Sequence, residues 1–196
     1  MRYDVRRVRA EEWATLRALR LAALRDPVAH LAFLDTVAAA EARPAEFWQE
    51  RARSSAVGTA VAQFVALAPE GESAGGPAGE PTGELAGTVT VLVTPAGERD
   101  YVGETRPSPS AAIVGVYVPP AHRGGAAIGA LLDAAQQWVR NLGLGRVRLH
   151  VHEQNARAQA AYRRRGYVPT GAQAHLGGAV HLELERDLTD EPAPPR

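Results

Sequence analysis

The spacing of apolar residues in the first part of the chain predicts one strand followed by two helices. Residues 3–8 predict a short strand. Over 11–25 the apolar side chains recur at helical spacing, which predicts a helix that ends at Asp26-Pro27. A second helix is predicted over 44–53, with a proline in its first turn. The segment between these helices, 30–35, is apolar for a loop.

The rest of the chain alternates strands with helices. Two β-rich runs, 60–67 and 85–93, predict a hairpin because a loop rich in Gly and Pro joins them. The later predicted elements are a strand over 111–118, a helix over 128–142, a strand over 146–151, a helix over 156–165, and two strands that include 167–168 and 179–184. The order β-α-α-β-β-β-α-β-α-β-β indicates a mixed α/β sheet.

Composition separates one compact domain from two polar segments. A chain of 196 residues is long enough for a single domain, which we place at 1–188. The loop 69–83 reads PEGESAGGPAGEPTG and can bury little apolar surface. The tail 189–196 ends in PAPPR and is expected to be frayed. A softer loop is predicted over 95–110, where Gly and Pro recur.

Charge and residue usage exclude several classes of function. The formal net charge is zero, which disfavours a nucleic-acid binder. The chain has no Cys, which excludes disulfides, thiolate metal sites and a cysteine nucleophile, and we expect no metal. All 22 basic residues are Arg, so no lysine phosphate-loop is available, and this usage is typical of a high-GC bacterial genome. No signal peptide and no apolar run of membrane-spanning length is found, so we expect a cytoplasmic protein without a membrane partner.

A glycine turn between a strand and a helix is the first candidate site. In Arg123-Gly124-Gly125 the backbone N–H groups can approach an anion, and the following helix N-terminus adds partial positive charge. A glycine pair alone favours a plain turn, however. Gly115 interrupts an apolar strand, where glycine marks either a bulge that admits a ligand or a small residue beneath a helix.

A second candidate lies on the helix predicted over 156–165. Asn155, Ala158 and Tyr162 follow one another at helical spacing and share one face. An amide, a small residue and a phenol on one face suit a ligand that lies along the helix. The alternative is that Asn155 is only an N-cap and Tyr162 only a core residue.

Together these segments resemble the GNAT superfamily of acyl-CoA-dependent N-acyltransferases. Residues 118–132 read VPPAHRGGAAIGALL, which is similar to the family motif Val-x-Pro-x-x-Arg-Gly-x-Gly-x-Gly/Ala. Residues 149–155 read LHVHEQN, and with Ala158, Tyr162 and Gly166-Tyr167 they resemble the next motif, Leu-x-Val-x-x-x-Asn-x-x-Ala-x-x-x-Tyr-x-x-x-Gly-Phe. The closely matching part spans 113–166, and the order of elements extends the resemblance over the domain.

The resemblance implies a fold and a cofactor site. The fold is a mixed, mostly antiparallel sheet flanked by about four helices, whose bulged fourth strand splays from the fifth. Acetyl-CoA is the implied acyl donor, with its pantetheine arm in the splay and its pyrophosphate at the glycine turn. The implied binding residues are Val116, Tyr117, Val118, Arg123, Gly124, Gly125, Ala126, Ala127, Ile128, Asn155 and Tyr162.

Two departures from the family motif keep a second function open. Ala126 stands at a usual glycine position, and Ile128 stands where Gly or Ala is usual, so its side chain could crowd the phosphates unless it turns into the core. These departures motivate the alternative of a non-catalytic or acyl-CoA-sensing domain of the same fold. A nucleotide-binding protein is a third class, but no G-x-G-x-x-G follows the first strand.

Catalysis of direct amine attack on a thioester needs an oxyanion donor, an acid and a base. The resemblance implies the Val118 N–H as the donor and the Tyr162 phenol as the acid. The family fixes no base, and we expect His150, followed by His152 and Glu153, although each could be a plain surface or hydrogen-bonded residue.

The acceptor is expected to be a small-molecule amine or a protein N-terminus, and dimers are common in the family. Phe33 and Asp35 are candidates for the acceptor pocket, with the carboxylate holding an ammonium. The alternative for Phe33 is a packing role in the core.

Overall fold

The computed structural model describes residues 3–68 and 84–189. The predicted loop 69–83 and, except for Thr189, the predicted tail 189–196 lie outside the described residues. The strands are β1 (Asp4–Arg7), β2 (Val61–Leu67), β3 (Leu85–Thr94), β4 (Ser110–Tyr117), β5 (Arg146–His152), β6 (Val168–Leu176) and β7 (Ala179–Asp187). The helices are α1 (Trp13–Leu24), α2 (Val37–Ala42), α3 (Ala45–Ala56), α4 (Ala127–Asn141) and α5 (Ala156–Arg163).

The strands form one seven-stranded sheet in the order β1-β2-β3-β4-β5-β7-β6. Only β4 and β5 pair in parallel among the described strands, and every other neighbouring pair is antiparallel. The predicted mixed, mostly antiparallel sheet is therefore confirmed. The hairpin predicted from the two β-rich runs is confirmed as β2 and β3.

Helices cover both faces of the sheet, as two adjacent residues of β2 illustrate. Phe64 belongs to the largest core cluster, together with Leu131 of α4. The next residue, Val65, packs instead with Leu16 of α1 and Ala52 of α3. Because neighbouring residues of a strand point to opposite faces, α4 covers one face and α1 and α3 cover the other.

The fourth strand carries a bulge and leaves its neighbour after a few residues. Thr90 of β3 pairs with Val114, but Thr88 pairs with Tyr117, so β4 has an extra residue at this point. Gly115 lies in the bulge at φ +62°, a conformation that favours glycine. The parallel pairing of β4 with β5 covers only three residue pairs, from Ala111 to Ile113 on β4. The predicted bulge and splay are thus present.

The structure differs from the predicted elements in three places. The short helix α2 adds an element between the two helices predicted for this region. Strand β6 continues to Leu176, well beyond the predicted 167–168. The loop predicted to be soft over 95–110 is held by a β-bridge between Arg99 and Thr105.

Candidate active site

A cavity of about 610 Å³ lies where β4 and β5 diverge. Both strands contribute to its wall. Beyond the three residue pairs of their parallel ladder, the facing edges of β4 and β5 are not paired with each other. The cavity brings together nearly all the residues predicted to bind a ligand or act in catalysis. These are Val116, Tyr117, Val118, Arg123, Gly124, Gly125, Ala126, Ile128, His150, Asn155 and Tyr162. Of the predicted cofactor-binding residues, Ala127 is the exception, because it is fully buried in the core.

The glycine turn at one end of the cavity has room for an anion. Gly124 has φ +80°, and a side chain added there would meet no atom within 4 Å. The N-cap of α4 is Ala126, whose side chain cannot accept a hydrogen bond from the backbone N–H groups of the first turn. Such N–H groups, with the helix dipole behind them, form a good phosphate site.

The two departures from the family motif are accommodated in the structure. Ala126 has φ −78° and ψ −10°, a helical conformation that needs no glycine. Ile128 is partly buried and packs against the main core cluster, although it also borders the cavity. Because the Ile128 side chain packs on the core, it does not fill the predicted phosphate site.

The guanidinium of Arg123 is engaged within the protein. Its Nε donates a hydrogen bond to the carbonyl of Val118 at 2.8 Å, and its Nη2 forms an ion pair with Asp26. The arginine thus fastens the glycine turn to the end of β4 and to the segment after α1. The role of the Val118 N–H as oxyanion donor stays a prediction.

Asn155 serves as the N-cap of α5, as predicted. Its Oδ1 accepts a hydrogen bond from the Ala158 N–H at 3.1 Å. Its Nδ2 donates to the carbonyl of Leu31 at 3.3 Å, which holds the segment after α1 over the cavity. Contact of Asn155 with pantetheine stays a prediction.

Tyr162 is nine-tenths buried, and its ring packs edge to face on Tyr167 with 5.9 Å between centroids. Burial raises the pKa of the Tyr162 phenol, with a smaller contribution from Tyr167. The phenol therefore keeps its proton at neutral pH, as an acid must before it donates.

His150 is partly buried at the cavity wall, and groups lie near both of its ring nitrogens. Its Nδ1 lies 2.7 Å from the hydroxyl of Tyr101, and its Nε2 lies 3.8 Å from Oε2 of Glu183. Burial lowers the pKa of His150, while Glu183 and Asp100 oppose this shift. The imidazole is therefore held mainly neutral, the form a general base requires.

The other two base candidates lie in different surroundings. His152 lines the cavity, and its Nδ1 accepts a hydrogen bond from the Gln154 N–H at 3.1 Å. Glu153 is exposed and does not line the cavity.

Sequence reasoning missed His181 on β7. It pairs with His152 across the strands, with 5.2 Å between ring centroids, and it lines the same cavity. Its Nδ1 is buried without a hydrogen-bond partner in the described residues. The sequence does predict a strand at 179–184, which contains His181. It does not show that this strand pairs with β5 and so places His181 beside His152, because that depends on the order of the strands in the sheet.

The acceptor candidates differ from expectation in one respect. Phe33 packs on two smaller core clusters and also lines the cavity, so its packing role is present and its acceptor role stays a prediction. Asp35 does not line the cavity. Its carboxylate accepts two hydrogen bonds from Arg43, at 2.6 and 3.0 Å. Because it already has a cationic partner, the expected role of Asp35 in holding a substrate ammonium is wrong.

Solved structures with the same fold cover almost the whole chain. An acetyltransferase of the GNAT family from Streptococcus pneumoniae has a TM-score of 0.68 at 16% identity, covering 95% of this chain and 99% of its own. The NAA60 protein of Arabidopsis thaliana with acetyl-CoA has a TM-score of 0.65 at 17% identity, covering 95% and 99%. Spermidine N-acetyltransferase from Vibrio cholerae with CoA and spermine has a TM-score of 0.65 at 16% identity, covering 95% and 96%. No curated protein matches the chain.

A splayed sheet with a glycine turn at the splay defines a protein of the N-acyltransferase class. The family model described as the acetyltransferase (GNAT) family matches residues 13–167. The chain therefore belongs to the GNAT acetyltransferase family, which confirms the resemblance and the predicted N-acetyltransferase class. Among the described residues, no helix is long and apolar enough to span a bilayer.

Proposed function

We propose that the protein transfers the acetyl group of acetyl-CoA to a primary amine by direct attack. The observation that carries this proposal is the cavity at the splay, which has an uncapped helix N-terminus at one end and Tyr162 and His150 along its wall. The Arabidopsis and Vibrio structures, with acetyl-CoA and with CoA and spermine, support the choice of donor.

The residues present fit acetyl-CoA in three ways. The turn at Gly124 has open space where a side chain would lie, and the N-terminus of α4 that follows it supplies N–H groups from which a diphosphate would accept hydrogen bonds. The bulge at Gly115 interrupts the regular pairing of β4, and β4 has no β5 partner there, so its backbone groups face the cavity. Three further arginines line the cavity and offer positive charge to phosphates: Arg157, Arg164 and Arg165.

We assign each proton transfer of this reaction to a side chain that lines the cavity. The amine lone pair attacks the thioester carbonyl carbon, and the Val118 N–H stabilises the resulting oxyanion. His150 accepts the proton that the amine loses. When the C–S bond breaks, Tyr162 donates its proton to the leaving thiolate, so that free CoA and the acetylated amine are formed.

The alternative of a non-catalytic domain loses its main support. It rested on Ala126 and Ile128, and the structure accommodates both without closing the cavity. The single domain at 1–188, the cytoplasmic location and the homodimer stay predictions.

The experiment that tests this function is amine-dependent release of CoA thiol from acetyl-CoA. A panel of primary amines that includes a polyamine, amino acids and a short peptide is offered to the wild-type protein and to Tyr162→Phe. We expect at least one amine to raise thiol release well above hydrolysis, and the variant to be slower. Absence of any amine-dependent release would contradict the proposal.

A further inference from the structure

A second, smaller cavity of about 30 Å³ lies beside the bulge of β4, on the face that α1 and α3 cover. Phe33, Gly115 and Tyr117 line both this cavity and the large one, so the two cavities are neighbours. One water needs about 10–15 Å³ measured in this way, so the small cavity has room for a group of a few atoms. We refer to it as the bulge cavity.

Two arginines line the bulge cavity, Arg20 of α1 and Arg51 of α3. The Arg20 guanidinium lies 4.4 Å above the ring of Phe33 and 3.6 Å from a carboxylate oxygen of Asp35. That carboxylate is already bound by Arg43 through two hydrogen bonds. Arg51 has no ion pair within the described residues. Two guanidinium groups thus contact the one carboxylate and a third lies near it without an ion pair, so positive charge exceeds negative charge beside the bulge cavity.

The pKa values of these arginines reflect the same imbalance. Burial lowers the pKa of Arg20, and repulsion from Arg51 and Arg43 adds to the effect, whereas Asp35 raises it. Burial and the repulsion from Arg43 likewise lower the pKa of Arg51. Arginine stays charged under these conditions, so an anion placed between the two groups would relieve the repulsion.

An independent observation on Trp48 also points to a missing acceptor. The Trp48 side chain lines the bulge cavity and is 3% exposed. Its Nε1 is buried and has no hydrogen-bond partner in the described residues. Buried N–H donors in folded proteins almost always have an acceptor. A ligand oxygen in the cavity would supply one.

We propose that the bulge cavity binds the carboxylate of the acceptor, which is therefore a small primary amine with an acidic group close to its amino group, as in an α-amino acid. The inference rests on the proposed acetyl transfer and names its substrate class. The planar forks of Arg20 and Arg51 suit a carboxylate, and the Trp48 N–H adds a donor. The adjacent large cavity then receives the amine beside the bulge.

The same charges disfavour two other acceptor classes. A polyamine brings only positive charge, which the excess arginines repel. A peptide N-terminus has an amide in place of the free α-carboxylate, so it leaves the arginines without a partner. We therefore expect both to be poorer acceptors than a free amino acid.

The test compares each proteinogenic α-amino acid with its α-amide, using thiol release from acetyl-CoA. We expect kcat/KM for the best amino acid to exceed that of its amide by about 10-fold or more, the usual effect of a charged hydrogen bond. Arg51→Gln should lower kcat/KM for the acid by a similar factor and leave the amide unchanged. Trp48→Phe should also lower the ratio of kcat/KM for the acid to that for the amide, a ratio that lost packing alone would not change.

Arg53→Gln is the matched control, because Arg53 lies on the same helix but does not line the bulge cavity and is paired with Glu50. It should behave as wild type with both substrates. Equal use of acid and amide, or an equal loss of both in Arg51→Gln, would overturn the carboxylate site while acetyl transfer itself stands.

A binding measurement separates this inference from the proposed function. The melting temperature is followed with the same amino acids and amides in the presence of CoA. Stabilisation by an acid that is lost in Arg51→Gln and kept in Arg53→Gln supports the carboxylate site even without turnover. If no amine is acetylated and no acid stabilises the protein more than its amide does, the carboxylate site is refuted as well.

Discussion

The hydroxyl oxygen of Tyr101 lies 2.7 Å from Nδ1 of His150, although 49 residues separate them in the chain. The contact is held in place by the folding of the loop around Asp100. The Asp100 carboxylate accepts hydrogen bonds from the N–H groups of Val102 and Glu104, each at 3.0 Å. A further bond comes from Nε of Arg106 at 2.6 Å. The loop thus presents a phenol to the imidazole that we assign as the base.

This contact predicts the effect of Tyr101→Phe on the pH dependence of the reaction. As the base, His150 needs a lone pair on the nitrogen that receives the amine proton, so we assign that lone pair to Nε2 and the proton to Nδ1, which donates to the Tyr101 oxygen. This bond is stronger in the imidazolium than in the neutral ring, so removal of the hydroxyl should lower the pKa of His150 and move the acidic limb of kcat/KM to lower pH. His150→Gln should abolish that limb.

The control for this experiment is another tyrosine–histidine pair. The Tyr3 hydroxyl lies 3.4 Å from Nδ1 of His122, and Tyr3→Phe should leave the limb in place. The pH–rate profiles of wild type and the variants are compared at saturating acetyl-CoA. An identical acidic limb in wild type, Tyr101→Phe and His150→Gln would show that His150 is not the base.

Tyr162→Phe tests the assigned acid. The variant keeps the ring and its packing on Tyr167 but removes the proton. We expect the turnover number to fall roughly 10²-fold, within the usual range for general acid catalysis, with acetyl-CoA affinity little changed. Tyr167→Phe is the matched control, because its hydroxyl accepts from Gln136 in the core. Near-normal turnover of Tyr162→Phe, with chemistry rate-limiting, would assign protonation of the thiolate to water.

Gly125→Asp tests the pyrophosphate site. A Cβ at Gly125 would make only ordinary contacts, 3.7 Å from the His122 carbonyl and 3.8 Å from the Tyr3 hydroxyl. An acidic side chain at a helix N-terminus also favours the helix, so the fold should be kept. Repulsion of the diphosphate should nevertheless weaken CoA binding strongly, measured by calorimetry. Gly125→Asn supplies a neutral side chain of the same size, and equal affinity of the two variants would argue against charge repulsion.

The loop 69–83 is predicted to be dispensable for folding. The residues that flank this loop lie close together, because the Ala68 N–H donates a hydrogen bond to the Glu84 carbonyl at 2.9 Å. A four-residue turn can therefore close the hairpin, and the cost of loop closure changes slowly with length. The melting temperature of the shortened protein should lie within a few degrees of wild type. Loss of soluble expression would show that the loop contributes to the fold.

Features that are local in the sequence could be predicted well. The glycine turn of Gly124, the cap at Asn155 and the phenol of Tyr162 depend on the order strand, turn and helix, which the periodicity indicates. The helix α2 also left a local signal, since Thr36 accepts a hydrogen bond from the Ala39 N–H as its N-cap. Helix α2 is short and follows the apolar segment 30–35, so this N-cap alone did not lead to the prediction of a helix.

Features that depend on distant parts of the chain could not be predicted. The Tyr101 contact requires the loop to fold over β5, which no local pattern specifies. The expected role of Asp35 is wrong because Arg43, directly after helix α2, donates hydrogen bonds to its carboxylate. Helix α2 was not predicted from the sequence. The bulge cavity likewise joins Arg20, Arg51 and Trp48 from helices that pack side by side only in the folded protein.

The most direct test of the central claim is a crystal structure of the protein with acetyl-CoA. The account predicts the pantetheine arm between 113–118 and 146–151, and the diphosphate on the N–H groups of 123–128. It also predicts the thioester sulfur within hydrogen-bond reach of the Tyr162 hydroxyl, about 3.5 Å or less for a bond to sulfur. Acetyl-CoA bound elsewhere, or a sulfur far from Tyr162 with the diphosphate in place, would contradict it.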